Sequence, residues 1–511
     1  MTLTLAGLLA DLPDGNLAIG GNDRPWLTHG KLRALVQQTR SSLHQTGLGP
    51  THRIAVVLPN GPEMAAAFVS IAQTSVIAPL NPAFKRDEFD FYLSDLCADA
   101  IVLPEGYKGA ALDAAHARGL RILWLGFNEC DAAGQFSLDP DVATPAAGGL
   151  RAPDDTDCAL ILHTSGTTSR PKMVPLLHRN LASSIQAIRR TLELTQADRC
   201  LNIMPLFHIH GLMAAVSASL ASGGSVWCAP GFDALRFFSW MSACQPSWYT
   251  AVPTMHQAIL SRAARHIASQ ADVKLRFVRS SSAALPAQVW TELSRAFGVP
   301  VIESYGMTEA AHQMTSSPIQ PGSQKPGSVG IAAGPLVRIA DEAVNELIAG
   351  TGEVVISGPN VTPGYLANPE ANACSFFEAE GRQWFRTGDQ GKFDADGYLV
   401  LSGRLKEQIN RGGQKISPSE IDTVLLDHPA VRQAVTFAMP HRTLGEEVAV
   451  AVILHDSMTA TEHELRSFAQ GRLAAFKTPR RVVILTEIPM GPTGKLQRIG
   501  LAAKLGLTVT A

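Results

Sequence analysis

Short apolar runs alternate with longer amphipathic segments over the first four hundred residues of the chain. Runs with the length of buried strands are IAVVL (54–58), VIAPL (76–80), AIVL (100–103), CALIL (158–162) and CLNIM (200–204). Stretches with a helical pattern separate or follow them, such as PEMAAAFVSIAQ (62–73), RNLASSIQAIRRTLEL (179–194) and GLMAAVSASLAS (211–222). This alternation predicts an α/β fold with layered, largely parallel sheets and helices.

The carboxyl ends of parallel strands are where ligands bind in such sheets. Polar segments follow three of the predicted strands directly, namely CALIL, RFVRS (276–280) and VIESY (301–305). We therefore expect the functional site to be built from these three loops.

The pattern changes at about Gly327 to short strands and turns: GSVGIAAG (327–334), GEVVISG (352–358) and GYLVLSGR (397–404). These segments predict a β-rich subdomain. After Arg404 a new compact pattern of helices and strands begins, which predicts a separate α+β domain of about a hundred residues. We therefore predict a large N-terminal domain, residues 1–402, and a small, mobile C-terminal domain, residues 403–511.

Composition narrows the class of protein. The chain has 511 residues, too many for one ordinary core, and a formal net charge of -2, which gives no electrostatic reason to expect nucleic acid or an anionic membrane as a partner. Its seven cysteines contain no C-x-x-C pair, which argues against disulfides or a zinc site. Without a signal peptide or an apolar run of about 18 residues, we expect a cytoplasmic protein, monomeric or homodimeric.

The segment LHTSGTTSRPK (162–172) is rich in small hydrogen-bond donors. It follows an apolar run, so its backbone N–H groups and hydroxyls can surround one anion, and a lysine adds positive charge. Its spacing does not fit the Walker phosphate loop. The predicted phosphate ligands are Thr164, Ser165, Gly166, Thr167, Thr168 and Lys172. The alternative is a polar surface turn.

The segment SYGMTE (304–309) places an aromatic ring, a hydroxyl and a carboxylate at another predicted strand end. Tyr305 can stack on a purine, Thr308 can bond a phosphate, and Glu309 offers an oxygen ligand suited to Mg²⁺. The alternative is a core tyrosine and a helix-capping threonine.

Two further segments carry isolated charged residues. In RTGD (386–389) the Asp389 carboxylate suits a ribose diol, although a surface ion pair with Arg404 is an equally good interpretation. In GPTGKLQR (491–498) glycines flank Lys495, which could equally be an ordinary solvated lysine.

These five segments, counting GRLKEQINRGGQK (403–415), occur in an order that resembles the adenylate-forming superfamily of acyl-CoA synthetases, peptide-synthetase adenylation domains and luciferases. The resemblance covers essentially the whole chain. It implies an AMP-forming acid–thiol ligase with ATP and CoA as co-substrates and Mg²⁺ as cofactor. It assigns catalysis to Lys495, Thr308 and Glu309, the metal to Thr167 and Glu309, and the domain hinge to Lys406.

The resemblance also implies a longer set of ATP- or AMP-binding residues. Besides the six phosphate ligands, these are Ser282, Ala283, Ala284, Glu303, Ser304, Tyr305, Gly306, Met307, Thr308, Asp389, Arg404 and Lys495.

Four polar residues bear on the identity of the acid: His208, His210, Ser282 and His312. Imidazoles and a hydroxyl suit a small, doubly charged acid rather than a fatty acid, unless the histidines are structural. The segments HTSGTTSRPK and TEAAHQM are similar to those of oxalate–CoA ligases, which implies oxalate as substrate. Alternatives are malonate, although Ser304 stands where an arginine would be expected, another short or medium-chain acid, or a carrier-protein adenylation module.

Overall fold

The computed structural model describes residues 4–21, 23–140, 151–164, 171–266, 273–489 and 497–507. Within them no helix is long and apolar enough to cross a membrane.

The first fourteen strands are β1 (Leu17–Gly20), β2 (Leu27–Thr28), β3 (Arg53–Val56), β4 (Val76–Pro79), β5 (Ala100–Pro104), β6 (Arg121–Gly126), β7 (Ser137–Pro140), β8 (Cys158–Thr164), β9 (Lys172–Leu177), β10 (Arg199–Asn202), β11 (Ser225–Cys228), β12 (Trp248–Ala251), β13 (Phe277–Ser281) and β14 (Val301–Met307). The remaining strands are β15 (His312–Ser316), β16 (Ile331–Ala332), β17 (Leu336–Ala340), β18 (Leu347–Ile348), β19 (Gly352–Ser357), β20 (Phe376–Ala379), β21 (Arg382–Phe393), β22 (Leu399–Arg404), β23 (Ile409–Arg411), β24 (Gln414–Ile416), β25 (Val431–His441), β26 (Gly445–Leu454) and β27 (Arg481–Ile484).

The α-helices are α1 (Leu5–Leu9), α2 (His29–Gln45), α3 (Pro62–Ile71), α4 (Arg86–Leu96), α5 (Ala110–Ala117), α6 (His178–Thr191), α7 (Ala218–Ala221), α8 (Phe237–Cys244), α9 (Pro253–His266), α10 (Ala287–Phe297), α11 (Pro369–Ser375), α12 (Pro418–Leu426), α13 (Glu462–Gln470) and α14 (Leu501–Lys504). A π-helix spans His210–Ser217, and 3₁₀ helices span Thr308–Ala310, Leu405–Glu407 and Ala475–Lys477.

Two large sheets form the first part of the chain. One has seven strands in the order β7-β6-β5-β3-β4-β8-β9, and the other has nine in the order β16-β15-β14-β13-β12-β10-β11-β1-β2. The interior pairs are parallel, whereas antiparallel pairs occur toward the ends of each sheet, as in β8 with β9 and β14 with β15. The predicted layered α/β fold with largely parallel sheets is therefore confirmed.

The burial of α3 explains how the two sheets are joined. Helix α3 begins with Pro62 at its first turn, and every residue from Met64 to Ile71 is buried. It contacts β4 of the seven-stranded sheet and β1 of the nine-stranded sheet. A helix that is apolar on all sides fits only where both of its faces are covered, which is why this segment lies between the sheets.

The β-rich region begins later than the sequence predicts. Strands β17 to β22 form an antiparallel six-stranded sheet, but β16, within GSVGIAAG, pairs with β15 at the edge of the nine-stranded sheet. Gly330 makes this possible, because it has a φ of +86° and a Cβ there would lie 2.0 Å from the backbone of Ser316. The assignment of GSVGIAAG to the β-rich subdomain was therefore wrong.

The last sheet contains β23 to β27 in the order β24-β23-β26-β25, with β27 added parallel to β26. It is covered by α12 and α13, whose apolar residues Ile421, Leu425 and Leu465 are buried in its core. The 3₁₀ helix Leu405–Glu407 connects this sheet to β22. The domain limits 1–402 and 403–511 remain a prediction.

Candidate active site

The carboxyl ends of β13 and β14 lie side by side. The two strands are parallel, and Ser281 of β13 is in register with Ser304 of β14. Ser282 and Tyr305, the next residues of each chain segment, therefore emerge at the same edge of the sheet. This is the edge at which parallel sheets bind ligands, and it brings the predicted RFVRS and VIESY loops together.

Three of the four residues predicted to bind the acid form one cluster. His210 Nδ1 lies 3.0 Å from Ser282 Oγ, and the rings of His210 and His312 stack with centroids 5.0 Å apart. Both histidines are buried. His208 is half-buried, and its ring packs against Phe207. Its role in binding the acid remains a prediction.

The backbone at this cluster is unusual. Ser282 has a φ of +73° and His312 a φ of +96°, in the left-handed region that side-chain-bearing residues rarely adopt. Such conformations cost about 1–3 kcal/mol each and persist where packing enforces them, often at functional sites. One source of that packing is Gly306, where a Cβ would lie 1.6 Å from the carbonyl oxygen of His312.

His210 comes from an element that the sequence predicts only in part. The predicted helix GLMAAVSASLAS begins as a π-helix, His210–Ser217, and continues as α7. Gly211 lies so close to Pro205 that a Cβ would be 2.6 Å from that carbonyl oxygen. Apolar periodicity does not distinguish a π turn from an α turn over so short a length.

The sequence analysis missed Arg279, a fully buried arginine on β13. Its Nη2 donates to Ser304 Oγ at 2.7 Å, His312 Nε2 at 3.1 Å and Gln313 Oε1 at 3.3 Å. Its Nη1 lies 3.4 Å from both Thr250 Oγ1 and His210 Nε2. The one available signal was a cation in the middle of a short segment that the pattern predicts as a buried strand.

The predicted nucleotide segments also meet. Asp389 and Arg404 face each other across β21 and β22, with Arg404 Nε 3.2 Å from Asp389 Oδ1. The hydroxyl of Tyr305 donates to Asp389 Oδ2 at 2.6 Å. The Asp389 carboxylate chiefly raises the pKa of Arg404, so the guanidinium is charged at neutral pH. The ion pair considered as an alternative is present, and it lies beside the predicted purine-stacking tyrosine.

Glu309 lies in the 3₁₀ helix Thr308–Ala310 and is buried. Its Oε1 accepts a hydrogen bond of 2.9 Å from the hydroxyl of Tyr365, a residue that the sequence analysis did not single out. The ammonium of Lys172 lies 4.3 Å from the centroid of the same ring. Burial raises the pKa of Glu309, whereas the Tyr365 hydrogen bond and the positive charge of Lys172 oppose that shift.

The described part of the chain contains no preformed metal cluster. None of its residues form a group of three or more His, Cys, Asp or Glu side chains suited to a metal ion. Glu309 alone would supply a carboxylate oxygen, with nucleotide phosphates and water completing the shell. Magnesium usually binds in this way, through one or two carboxylates and substrate phosphates, so the residues fit a cation that arrives with ATP.

The remaining predicted nucleotide residues differ in exposure. Ala283 and Ala284 are exposed, and Gly306, Met307 and Thr308 are half-buried. Glu303 and Ser304 are buried. Glu303 Oε1 accepts a hydrogen bond of 3.2 Å from the N–H of Leu285, and Ser304 Oγ accepts one from Arg279. Their predicted contacts with ATP remain predictions.

The phosphate loop is described only at its ends. Thr164 and Lys172 are paired in register at the end of the β8–β9 hairpin. Lys406 is exposed, and its charge adds to burial in lowering the pKa of Lys172, so the predicted hinge residue lies near Lys172. Outside the described residues lie Ser165, Gly166, Thr167, Thr168 and Lys495.

Comparison with known proteins shows the family of the chain. A family model described as AMP-binding enzyme matches residues 10–366, and one described as AMP-binding enzyme C-terminal domain matches residues 420–495. The chain is 44% identical over 510 residues to an oxalate–CoA ligase of Arabidopsis thaliana, covering 97% of each chain. It is 40% identical over 472 residues to an oxalate–CoA ligase of Saccharomyces cerevisiae, covering 87% of this chain and 85% of the relative.

Among solved structures, ATP-bound MatB from Rhodopseudomonas palustris has a TM-score of 0.87 and 28% identity, covering 99% of each chain. The resemblance drawn from the motifs is thus confirmed by sequence and by fold. This chain belongs to the AMP-binding, adenylate-forming family of enzymes.

Proposed function

We propose that this chain is an ATP-dependent oxalate–CoA ligase, which converts oxalate, ATP and CoA into oxalyl-CoA, AMP and pyrophosphate. The observation that carries the proposal is the cluster of the buried His210 and His312 with the half-buried Ser282, beside the SYGMTE segment. The two relatives named oxalate–CoA ligase, at 44% and 40% identity, support it.

The chemistry of the cluster fits a small dicarboxylic acid. Buried imidazoles and hydroxyls need hydrogen-bond partners, and a carboxylate offers acceptor oxygens to several donors at once. A long acyl chain offers no acceptor oxygens, so placing it against these polar groups would be unfavourable. An acid with a second carboxylate next to the reacting one can pair with them instead.

In the first step a carboxylate oxygen of the acid attacks the α-phosphorus of ATP. The new O–P bond replaces the bond to pyrophosphate, which leaves, and the product is an acyl-adenylate. Asp389 would accept hydrogen bonds from the ribose hydroxyls beside Arg404, and the ring of Tyr305 would stack on the adenine. Thr308, Lys172 and the donors of the phosphate loop would hold the phosphates.

Glu309 would hold Mg²⁺ together with those phosphates. When bound, the cation neutralises phosphate charge and makes the α-phosphorus more electrophilic. We expect Lys495 to neutralise the charge that develops between the carboxylate and the α-phosphate, as the family resemblance implies.

In the second step the sulfur of CoA attacks the acyl carbon and the thiol proton is lost to solvent. The bond from the acyl carbon to AMP breaks, and AMP leaves. A mixed anhydride has a good leaving group, so the enzyme needs no nucleophile of its own. Rotation of the small domain about Lys406 would open the path for the thiol.

The experiment that tests this function is pyrophosphate release from ATP, screened over oxalate, malonate, medium-chain acids and aromatic acids. We expect oxalate to give the highest kcat/KM, with thioester formed on free CoA. A preference for malonate or a monocarboxylate would overturn the oxalate assignment. Thioester formation on a phosphopantetheine carrier protein, but not on CoA, would favour the adenylation-module alternative.

A substitution in the cluster tests the substrate site itself. We expect His312→Ala to raise KM for oxalate by roughly 10- to 100-fold while KM for ATP changes little, because only the acid would contact this imidazole. The measurement is steady-state kinetics with each substrate varied in turn. An equal rise in both KM values would contradict the assignment.

A further inference from the structure

We propose that Arg279 is a positioning residue that aligns the donors of His210, Ser282 and His312 and supplies the positive charge that a dianionic acid requires. Arg279 would not contact the acid itself but would act on it through its hydrogen bonds to these side chains. The inference rests on the proposed function, because it concerns the acid that the ligase activates.

The hydrogen-bond chemistry of a guanidinium determines the state of the two imidazoles. All its N–H groups donate, so His312 Nε2, at 3.1 Å from Arg279 Nη2, must accept. His312 is therefore neutral, with its proton on Nδ1. The same argument applies to His210 Nε2, which faces both Arg279 Nη1 at 3.4 Å and Thr250 Oγ1 at 2.6 Å.

A chain of hydrogen bonds from Arg279 through Thr250 and His210 determines the direction of the Ser282 hydroxyl. Arg279 donates to Thr250 Oγ1, and the Thr250 hydroxyl donates in turn to His210 Nε2. The proton of His210 then lies on Nδ1 and is donated to Ser282 Oγ at 3.0 Å. Because Ser282 Oγ already accepts, its own O–H is directed elsewhere, and the adjoining acid site is where a carboxylate oxygen would receive it.

Arg279 also gives this region its charge. Among the described residues, the other titratable groups that interact with Arg279 are His210, His312 and Cys200 at its side chain and His256 at its backbone. Burial raises the pKa of the Cys200 thiol and lowers the pKa of His256 to about 3, so both are neutral at neutral pH. Burial lowers the pKa of Arg279 to about 9, which leaves it charged.

Within the described part of the chain this charge has no carboxylate partner. Ser304, Thr250 and Gln313 accept from Arg279, but all three are neutral, and its Nε lacks a hydrogen-bond partner among the described atoms. A buried charge without a counter-ion is strongly unfavourable unless an anion neutralises it. An acid with two carboxylates can present the second one to this region while the first is adenylated.

The test compares acids of different charge on Arg279→Met. We expect kcat/KM for oxalate to fall by roughly 10- to 100-fold, the loss of one hydrogen-bonded charge, while KM for ATP stays within about twofold. Acetate, which has no second carboxylate, should be affected far less. A matched control is Arg199→Met in the same sheet. Arg199 is the first residue of β10, at the amino end of the strands and away from the acid site, and it donates to Cys244 O at 2.6 Å.

Two further readouts separate positioning from a merely structural role. With the guanidinium gone, the imidazoles are free to protonate, so KM for oxalate in Arg279→Met should fall as pH drops from 8 to 6, unlike in the wild type. Thr250→Val is nearly isosteric and removes the hydroxyl that accepts from Arg279 and donates to His210. It should raise KM for oxalate without raising KM for ATP, and it remains informative if Arg279→Met does not fold.

The outcomes distinguish the two proposals. If the wild type does not activate oxalate, the proposed function fails, and the same comparison is made with the acid that gives the highest kcat/KM. The Arg279 inference is overturned if that acid lacks a second anionic group. It is also overturned if Arg279→Met or Thr250→Val changes KM for the acid and for ATP equally.

Discussion

Tyr365 connects two residues that the sequence identifies separately. Its hydroxyl donates to Glu309 Oε1 at 2.9 Å, and the Lys172 ammonium lies over its ring. A carboxylate that would bind a metal is oriented by the groups that hydrogen-bond to it, and loss of such a group typically costs 10- to 100-fold in metal affinity. Tyr365 would therefore position Glu309 for a metal ion.

We expect Tyr365→Phe to raise the Mg²⁺ concentration needed for half-maximal activity by roughly tenfold, because the ring remains under Lys172 while the hydrogen bond is lost. A magnesium titration at saturating ATP measures this. Tyr398→Phe is the matched control, since its hydroxyl also donates, to Ser323 O at 2.8 Å, and Lys325 lies 4.4 Å from its ring centroid. Equal titrations for both variants would refute the role.

At the scale of single residues, the sequence identified candidate site residues where polar side chains directly follow apolar runs. Glu309, His312 and Lys172 are polar residues in short segments that follow apolar runs, so they could be predicted. Arg279 and Tyr365 could not, because one lies inside a strand and the other lies 56 positions from the carboxylate it contacts.

At the level of elements, the pairing of β14 with β15 determines where His312 lies. The two strands are antiparallel, and the register shifts between Tyr305 and Gly306. That irregularity presses the Gly306 backbone against the carbonyl of His312, and Ala311 is held by a hydrogen bond of 2.6 Å from Ser184 to its carbonyl oxygen. The left-handed conformation of His312 follows from this packing.

We expect Gly306→Ala to destabilise the chain by about 3 kcal/mol or more, because its Cβ would meet a backbone oxygen that cannot move independently. Chemical denaturation measures the loss. Gly15→Ala is the control, since a Cβ at Gly15 has nothing within 4 Å. A Gly306→Ala protein as stable as the control would show that β15 can move away without cost.

Over the whole molecule, Glu303 makes stability depend on pH. It is buried in the nine-stranded sheet, and burial raises its pKa from 4.5 to about 8. Between these values the folded state holds a proton that the unfolded state has released. This contribution to stability is present at low pH and is lost as the pH rises through the folded-state pKa.

Glu303→Gln keeps the shape but removes the ionisation. We expect the variant to be more stable than the wild type by about 4 kcal/mol at pH 8 and by only about 1 kcal/mol at pH 5. Urea unfolding at the two pH values measures it. The exposed Glu378→Gln serves as control and should show no such change. A Glu303→Gln difference that is equal at both pH values would contradict the buried, protonated state.

The alternation of apolar runs and helical segments, and the order of five polar segments, were enough to predict the layered α/β fold and the family. Both depend on local patterns, since buried strands need continuous apolar residues and ligand loops need donors at strand ends. The same local patterns placed GSVGIAAG in the wrong sheet, because strand pairing depends on close backbone contacts distant in sequence.

Only the tertiary structure decided which side chains act together. It joins Tyr305 to Asp389 across 84 positions and surrounds Arg279 with His210, Thr250, Ser304 and His312. The contacts of Arg279 with Thr250, Ser304 and His312 arise from the register of β12, β13, β14 and β15, which no single segment encodes. The sequence alone thus determined the fold and the chemical groups available. The folded sheet decided which of these groups surround the buried Arg279 guanidinium, because only packing brings them together and removes that charge from water.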